Sequence, residues 1–144
     1  PAHLADLVHL TLVFEPENPA SQSTLEVAGK NIGEALKGFE DNFALDGLVV
    51  GGPGRPGNVK LVDVFRNQGP EEEALYVHSI YVLPGSVLNL NNLRVYYDRE
   101  FVNEGAVEGG MPILIPEPTS LGLLALAAGA LRGVRKFLRV AARA

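Results

Sequence analysis

The sequence predicts a mainly β chain, a short-strand β-solenoid or sandwich segment followed by a C-terminal transmembrane or amphipathic α-helix. Three observations carry this. Short runs rich in Val, Ile, Leu and Tyr recur between Gly, Pro and Asn turn signals over residues 7–107. One strand pattern echoes another 32 positions later. Residues 119–131 then carry no charge, and basic residues follow directly from Arg132.

Taken in order, Leu7 to Phe14 is apolar and partly β-branched and is closed by Pro16 and Pro19, which makes it a strand. Leu25 to Ala28 is expected to pair back onto it across the Pro/Asn/Ser turn. Gly29, Gly33 and Gly38 break any long helix in the stretch that follows. Ala44 to Val50 is a second strand zone, and Gly51-Gly-Pro-Gly-Arg-Pro-Gly57 is expected as an exposed loop. Val59 to Phe65 alternates as a half-buried strand does. Ala74 to Leu83, Val87 to Leu90, Leu93 to Tyr97 and Phe101-Val102 complete the β body. Aligning Leu48 with Ile80 gives the 32-position echo, a period at which stacked coils repeat; a sandwich with two similar hairpins is the alternative. Asn89, Asn91 and Asn92 fit a turn, where Asn tolerates positive φ and bonds nearby backbone, or a ladder between coils.

Charge divides the chain. Residues 1–110 hold seven basic against sixteen acidic side chains, and residues 111–144 hold five basic against Glu117 alone. An acidic body repels nucleic acid, so no nucleic-acid partner is expected. No cysteine is present, which removes disulfides, thiolate metal sites and a Cys nucleophile. His3, His9 and His78 have no second His or Cys at ligand spacing, so they read as ordinary strand or surface residues. Glu71-Glu72-Glu73 lacks an EF-hand pattern and reads as a solvated loop. Residues 51–57 lack the Gly-Lys-Ser/Thr end of a phosphate loop, and no serine stands in a Gly-x-Ser-x-Gly context. The chain is therefore expected to be non-catalytic, with no cofactor and no metal.

As a helix, residues 119–131 reach about 20 Å at ~1.5 Å per residue, short of the ~30 Å hydrocarbon core. Extension through Val134, Phe137 and Leu138 is feasible because Arg and Lys side chains snorkel. On a helix, Arg132, Arg135, Lys136, Arg139 and Arg143 fall within an arc of roughly 100°. The positive-inside bias then places residues 1–110 outside the cytoplasm. The expected organisation is an all-β extracytoplasmic segment over 1–108, forming a β-solenoid end or cap. A Gly/Pro linker over 109–118 and a membrane anchor helix over 119–144 with a basic cytoplasmic end follow it. The chain opens on Pro1 with no leading export signal, which reads as the C-terminal fragment of a longer protein.

Pro116-Glu117-Pro118-Thr119-Ser120, the apolar run to Leu131 and the arginines after it resemble the PEP-CTERM sorting domain of exported bacterial proteins. The resemblance covers residues 112–139. It implies Pro116, Glu117 and Pro118 as recognition residues for an exosortase, a membrane protease-transpeptidase, on the extracytoplasmic side. It implies Arg132, Arg135, Lys136 and Arg139 as the stop-transfer cluster, although Phe137, Leu138 and Val140 interrupt the compact basic run usual in that family. Residues 39–50, 73–82 and 85–93 are also similar to closing β segments of large bacterial surface proteins. The expected partners are thus a membrane, an exosortase-type enzyme and extracellular polysaccharide, with release to the cell surface or matrix after processing. Two other readings stay open. One is the C-terminal part of a secreted carbohydrate-active or carbohydrate-binding protein whose active site lies upstream. The other is a soluble β-sandwich module with a buried C-terminal helix.

Overall fold

The computed structural model describes residues 6–18 and 20–118, and these are mainly β with parallel sheets. In chain order the strands are β1 (Leu7–Phe14), β2 (Ser23–Glu26), β3 (Gly29–Lys30), β4 (Leu45–Val50), β5 (Asn58–Val62) and β6 (Glu73–Val82). β7 (Val87–Asn89), β8 (Arg94–Tyr97), β9 (Glu100–Asn103), β10 (Ala106–Glu108) and β11 (Ile113–Leu114) follow, and one 3₁₀ turn lies at Leu36–Phe39.

Pairing is parallel between all these strands except β3 and β6. One sheet has the order β10-β7-β5-β2, and the larger one runs β1-β4-β6-β8-β11 with β3 and β9 also on β6. β6 divides the larger sheet in two. Ala74 to Tyr76 pair with β8, whereas Val77 to Val82 pair with β4 and, from Ser79, with β9. The chain therefore visits three rows of strands in turn, and each circuit lays its strands beside those of the circuit before.

Parallel stacking without long helical crossovers requires that side chains of equivalent positions sit over one another. They do so in apolar columns. Leu12 pairs with Leu48, Leu48 with Ile80 and Ile80 with Phe101; Leu25 pairs with Leu61, and Val59 with Leu88 and then Val107. Leu48, Val50, Val59, Leu61, Val77, Ile80, Val82 and Leu88 are fully buried between these rows. The Leu48–Ile80 echo is thus a real register. Along the Leu12 column the circuits shorten from 36 to 32 to 21 positions, read from residue 12 to 48, 48 to 80 and 80 to 101.

The narrowing is made by turns. In the third circuit the Ser86 N–H donates to Leu83 O at 3.0 Å around Pro84 and Gly85, whose φ of 74° suits a type II turn. The Leu93 N–H donates to Leu90 O at 2.8 Å around Asn91 (φ 52°) and Asn92 (φ 61°), a type I′ geometry. The Asn89 Oδ1 accepts from the Asn91 N–H at 2.8 Å, so these asparagines form the turn. In register Asn89 meets Lys60 and Glu108, so it forms no ladder with other asparagines.

Other expectations need correction. β2 pairs with β5 rather than back onto β1, because a parallel circuit and a hairpin share the same local pattern. Gly51 and Gly57 are buried, so only the middle of the Gly/Pro loop is exposed. A Cβ on Gly57 would stand 2.6 Å from both Phe14 O and Gly51 N, which is why a residue without one sits there. Residues 109–118, expected as a linker, contain β11. No helix of the described residues is long and apolar enough to cross a membrane, and the helix expected over 119–144 lies outside the described residues.

Candidate functional site

The Pro-Glu-Pro segment leaves the β body at a sharp boundary. β11 pairs with β8, Ile113 opposite Tyr96 and Leu114 opposite Tyr97. The Ile115 N–H then donates to Tyr97 O at 2.7 Å, and the Ile115 side chain is buried. The next residue is Pro116, which has no N–H to continue the ladder. Pro116, Glu117 and Pro118 are all exposed. Among the described residues, the last buried one and the first recognition candidate are therefore chain neighbours. Arg132, Arg135, Lys136 and Arg139 lie outside the described residues.

Ile115 is seated by residues that a motif search does not reveal. It packs with Phe39, Ala44, Ala74, Tyr76 and Tyr96 in a second apolar cluster on the outer side of β6 and β8. The Tyr76 and Tyr96 rings stack at 4.8 Å, and Phe39 meets Tyr76 edge-on at 5.5 Å. The segment 31–43 closes over them. The Tyr76 hydroxyl donates to Gly33 O at 2.8 Å and accepts from the Ile32 N–H at 3.1 Å, and the Tyr96 hydroxyl donates to Asn31 Oδ1 at 3.3 Å. Burial raises the Tyr76 pKa above the usual phenol range, partly offset by the Ile32 N–H. Gly38 lies flat on this ring, and a Cβ there would overlap it.

Asn42 ties the segment down. Its Oδ1 accepts from the Lys30 N–H at 2.7 Å, while its Nδ2 donates to Lys30 O and Gly38 O, each at 3.1 Å. Asp41 (φ 44°) and Phe43 (φ 55°) flank it in the left-handed region, a conformation that costs about 1–3 kcal/mol per residue unless its surroundings hold it. The glycines at 33 and 38 were the sequence signal of an irregular segment here.

Polar groups elsewhere are engaged structurally. His78 is buried, stacks on Phe39 at 4.9 Å and hydrogen-bonds through Nδ1 with Asp98 Oδ1 at 2.7 Å. His9 is exposed on β1. The Tyr81 hydroxyl donates to Glu100 Oε2 at 2.6 Å, and that bond, ahead of burial, raises its pKa. Arg99 pairs with Asp46 at 3.1 Å, both well exposed.

One cluster has the donor chemistry for a hard cation: carboxylate oxygens of Glu26, Asp63 and Glu73 lie within 4.8 Å of one another. Protein donors already occupy two of the three groups. Glu26 Oε1 accepts from the Val64 and Phe65 N–H groups at 2.8 and 2.7 Å. Glu73 accepts from the Gln68 N–H at 2.7 Å and from Asn67 Nδ2 at 3.1 Å. Their evident work is to fold the 63–72 loop. Glu73 is 1% exposed, so the acidic run read as solvated ends inside the protein.

A Pro-Glu-Pro exit, an aromatic seat and a clamp are thus assembled around Ile115. Comparison of the chain with protein-family models, with curated proteins and with solved structures returned no match.

Proposed function

We propose that this chain is the non-catalytic C-terminal region of an exported bacterial cell-surface or extracellular-matrix protein. Its β body closes a β-solenoid, and its tail carries a PEP-CTERM-like sorting signal for membrane anchoring and exosortase processing. The observation that supports this most is the boundary at Ile115. A signal read by a membrane enzyme must be reachable, and Pro116, Glu117 and Pro118 are exposed directly after a residue fixed by a backbone bond and an aromatic seat. The uncharged run and the basic stripe beyond it supply length and orientation.

Closure of a solenoid is favoured by the shortening circuits and by the last one's short strands. β9, β10 and β11 have four, three and two residues, and Glu100, Glu104 and Glu108 are exposed along them. Short charged edges resist further strand pairing. In this reading residues 1–110 face outward, in contact with surface polysaccharide.

Residues 109–144 fused behind a reporter are expected to direct membrane insertion with the reporter outside the cytoplasm. Protease accessibility in intact spheroplasts measures this, and a reporter that stays soluble in the cytoplasm would contradict the proposal.

A further inference from the structure

The end of the stack from which the tail leaves carries two large apolar side chains. Among the described residues β9, β10 and β11 are the last strands of their rows, so the segment between β10 and β11 crosses this end. That segment is held to the circuit before it. The Asn92 N–H donates to Gly109 O at 2.8 Å, and a Cβ on Gly110 would stand 3.7 Å from the Leu90 side chain. The next side chain, Met111, is 62% exposed, and Leu114, opposite Tyr97, is 49% exposed. Tyr97, Phe101 and Val107 pack on the main core yet stay only half-buried. Terminal coils of stacked proteins ordinarily turn a polar face outward, so apolar side chains at this end need a partner.

The length of chain between this end and the tail says what that partner is. Pro116 to Pro118 are the residues between Ile115, fixed by its bond to Tyr97 O, and the uncharged run that begins at Thr119. Those four Cα steps reach at most about 14 Å when fully extended. The headgroup layer is itself about 5–8 Å deep on each side of the hydrocarbon. A tail inserted from Thr119 therefore draws the last circuit down onto that layer. We infer that the last circuit of the β body rests on the bilayer surface, with Met111 and Leu114 entering the headgroup region and the stack rising from it. This rests on the anchoring reading above and adds which face of the body meets lipid.

Charge specifies the kind of surface. Residues 93–115 carry Arg94 and Arg99 against Asp98, Glu100, Glu104 and Glu108, two against four for a net of −2. An anionic leaflet would repel that end. A zwitterionic surface offers its ammonium groups to the exposed carboxylates without the same repulsion. The earlier circuits stay clear of lipid. From β9 through β6 and β4 to β1 there are three strand spacings, about 14 Å at ~4.8 Å each. Val13 on β1, although 58% exposed, is thereby held in water.

The chain has no cysteine, so a single introduced one carries a label at one position. Met111→Cys, Leu114→Cys, Val13→Cys and Ala125→Cys are made separately in the full chain, given a fluorophore and reconstituted into phosphatidylcholine–phosphatidylethanolamine vesicles. Spin-labelled lipids carry a quencher either on the headgroup or deep in the acyl chain. The headgroup quencher is expected to remove most of the fluorescence from the labels at positions 111 and 114 and little from the label at position 13. The acyl-chain quencher is expected to remove most of it from the label at position 125. Circular dichroism confirms that each variant is folded, and two exposed positions free the result from either substitution alone. Quenching at position 125, with positions 111 and 114 no more affected than position 13, would overturn the inference and leave the anchor standing. Equal headgroup quenching at positions 13, 111 and 114 would show a body lying on its side and overturn it too. A label at position 125 that no lipid quenches would remove the anchoring reading and the inference with it.

Discussion

Replacing Ile80 by alanine is expected to cost about 4 kcal/mol of stability, read as a downward shift of roughly 2 M in the urea midpoint. Ile80 is fully buried, with Leu48 on one side and Phe101 on the other in the same column. Loss of its three outer carbons leaves a cavity that cannot collapse, because the backbone rows on both sides are fixed by parallel hydrogen bonds. Val13→Ala, also on a strand but exposed, is expected to change stability by no more than about 0.5 kcal/mol. Equal effects of the two substitutions would mean that the apolar columns are not the core.

Asn42→Ala is the second large effect, expected at about 3 kcal/mol and different in kind. Three hydrogen bonds disappear, and Lys30 N, Lys30 O and Gly38 O lose their partner in a partly buried place. Asp41 and Phe43 then have less to hold them at positive φ. The segment 31–43 should loosen from the Tyr76 and Tyr96 rings before the strands unfold. Amide hydrogen exchange is expected to rise across 31–43 and around Ile115 while β4 and β5 stay protected. Uniform loss of protection would show instead that the clamp and the strand rows unfold as one unit. Asn42→Asp should behave no better, since it replaces the amide that donates to two carbonyls with an acceptor.

These two residues also show what could be read from the sequence. The Leu48–Ile80 alignment is the observed register because inward positions of successive circuits must carry similar apolar side chains. Turn chemistry at Pro84-Gly85 and Asn91-Asn92 was likewise local and therefore legible. Strand partners were not. Leu25 finds Leu61, 36 positions on, and nothing near Leu25 distinguishes that from a hairpin onto Leu7–Phe14. β10 and β11, at three and two residues, are too short for a periodic signal.

The surroundings of the tail's exit were hidden for a related reason. Gly38 was legible as a helix breaker, yet it is there because the Tyr76 ring lies against it, a contact between residues 38 positions apart. Glu73 belongs to an acidic triplet by composition but begins β6, so burial separates it from Glu71 and Glu72. The Pro-Glu-Pro motif was visible outright, and the fold adds where it starts. Among the described residues Ile115 is the last one held by the β body, so on the proposed reading an enzyme would engage the chain from Pro116 onward.

That boundary makes the central claim measurable. The mature C-terminus of the protein, recovered from a host with an exosortase and determined by intact-mass and C-terminal peptide mass spectrometry, is expected between Pro116 and Thr119. A chain ending at Ala144 in such a host would contradict processing at the Pro-Glu-Pro segment.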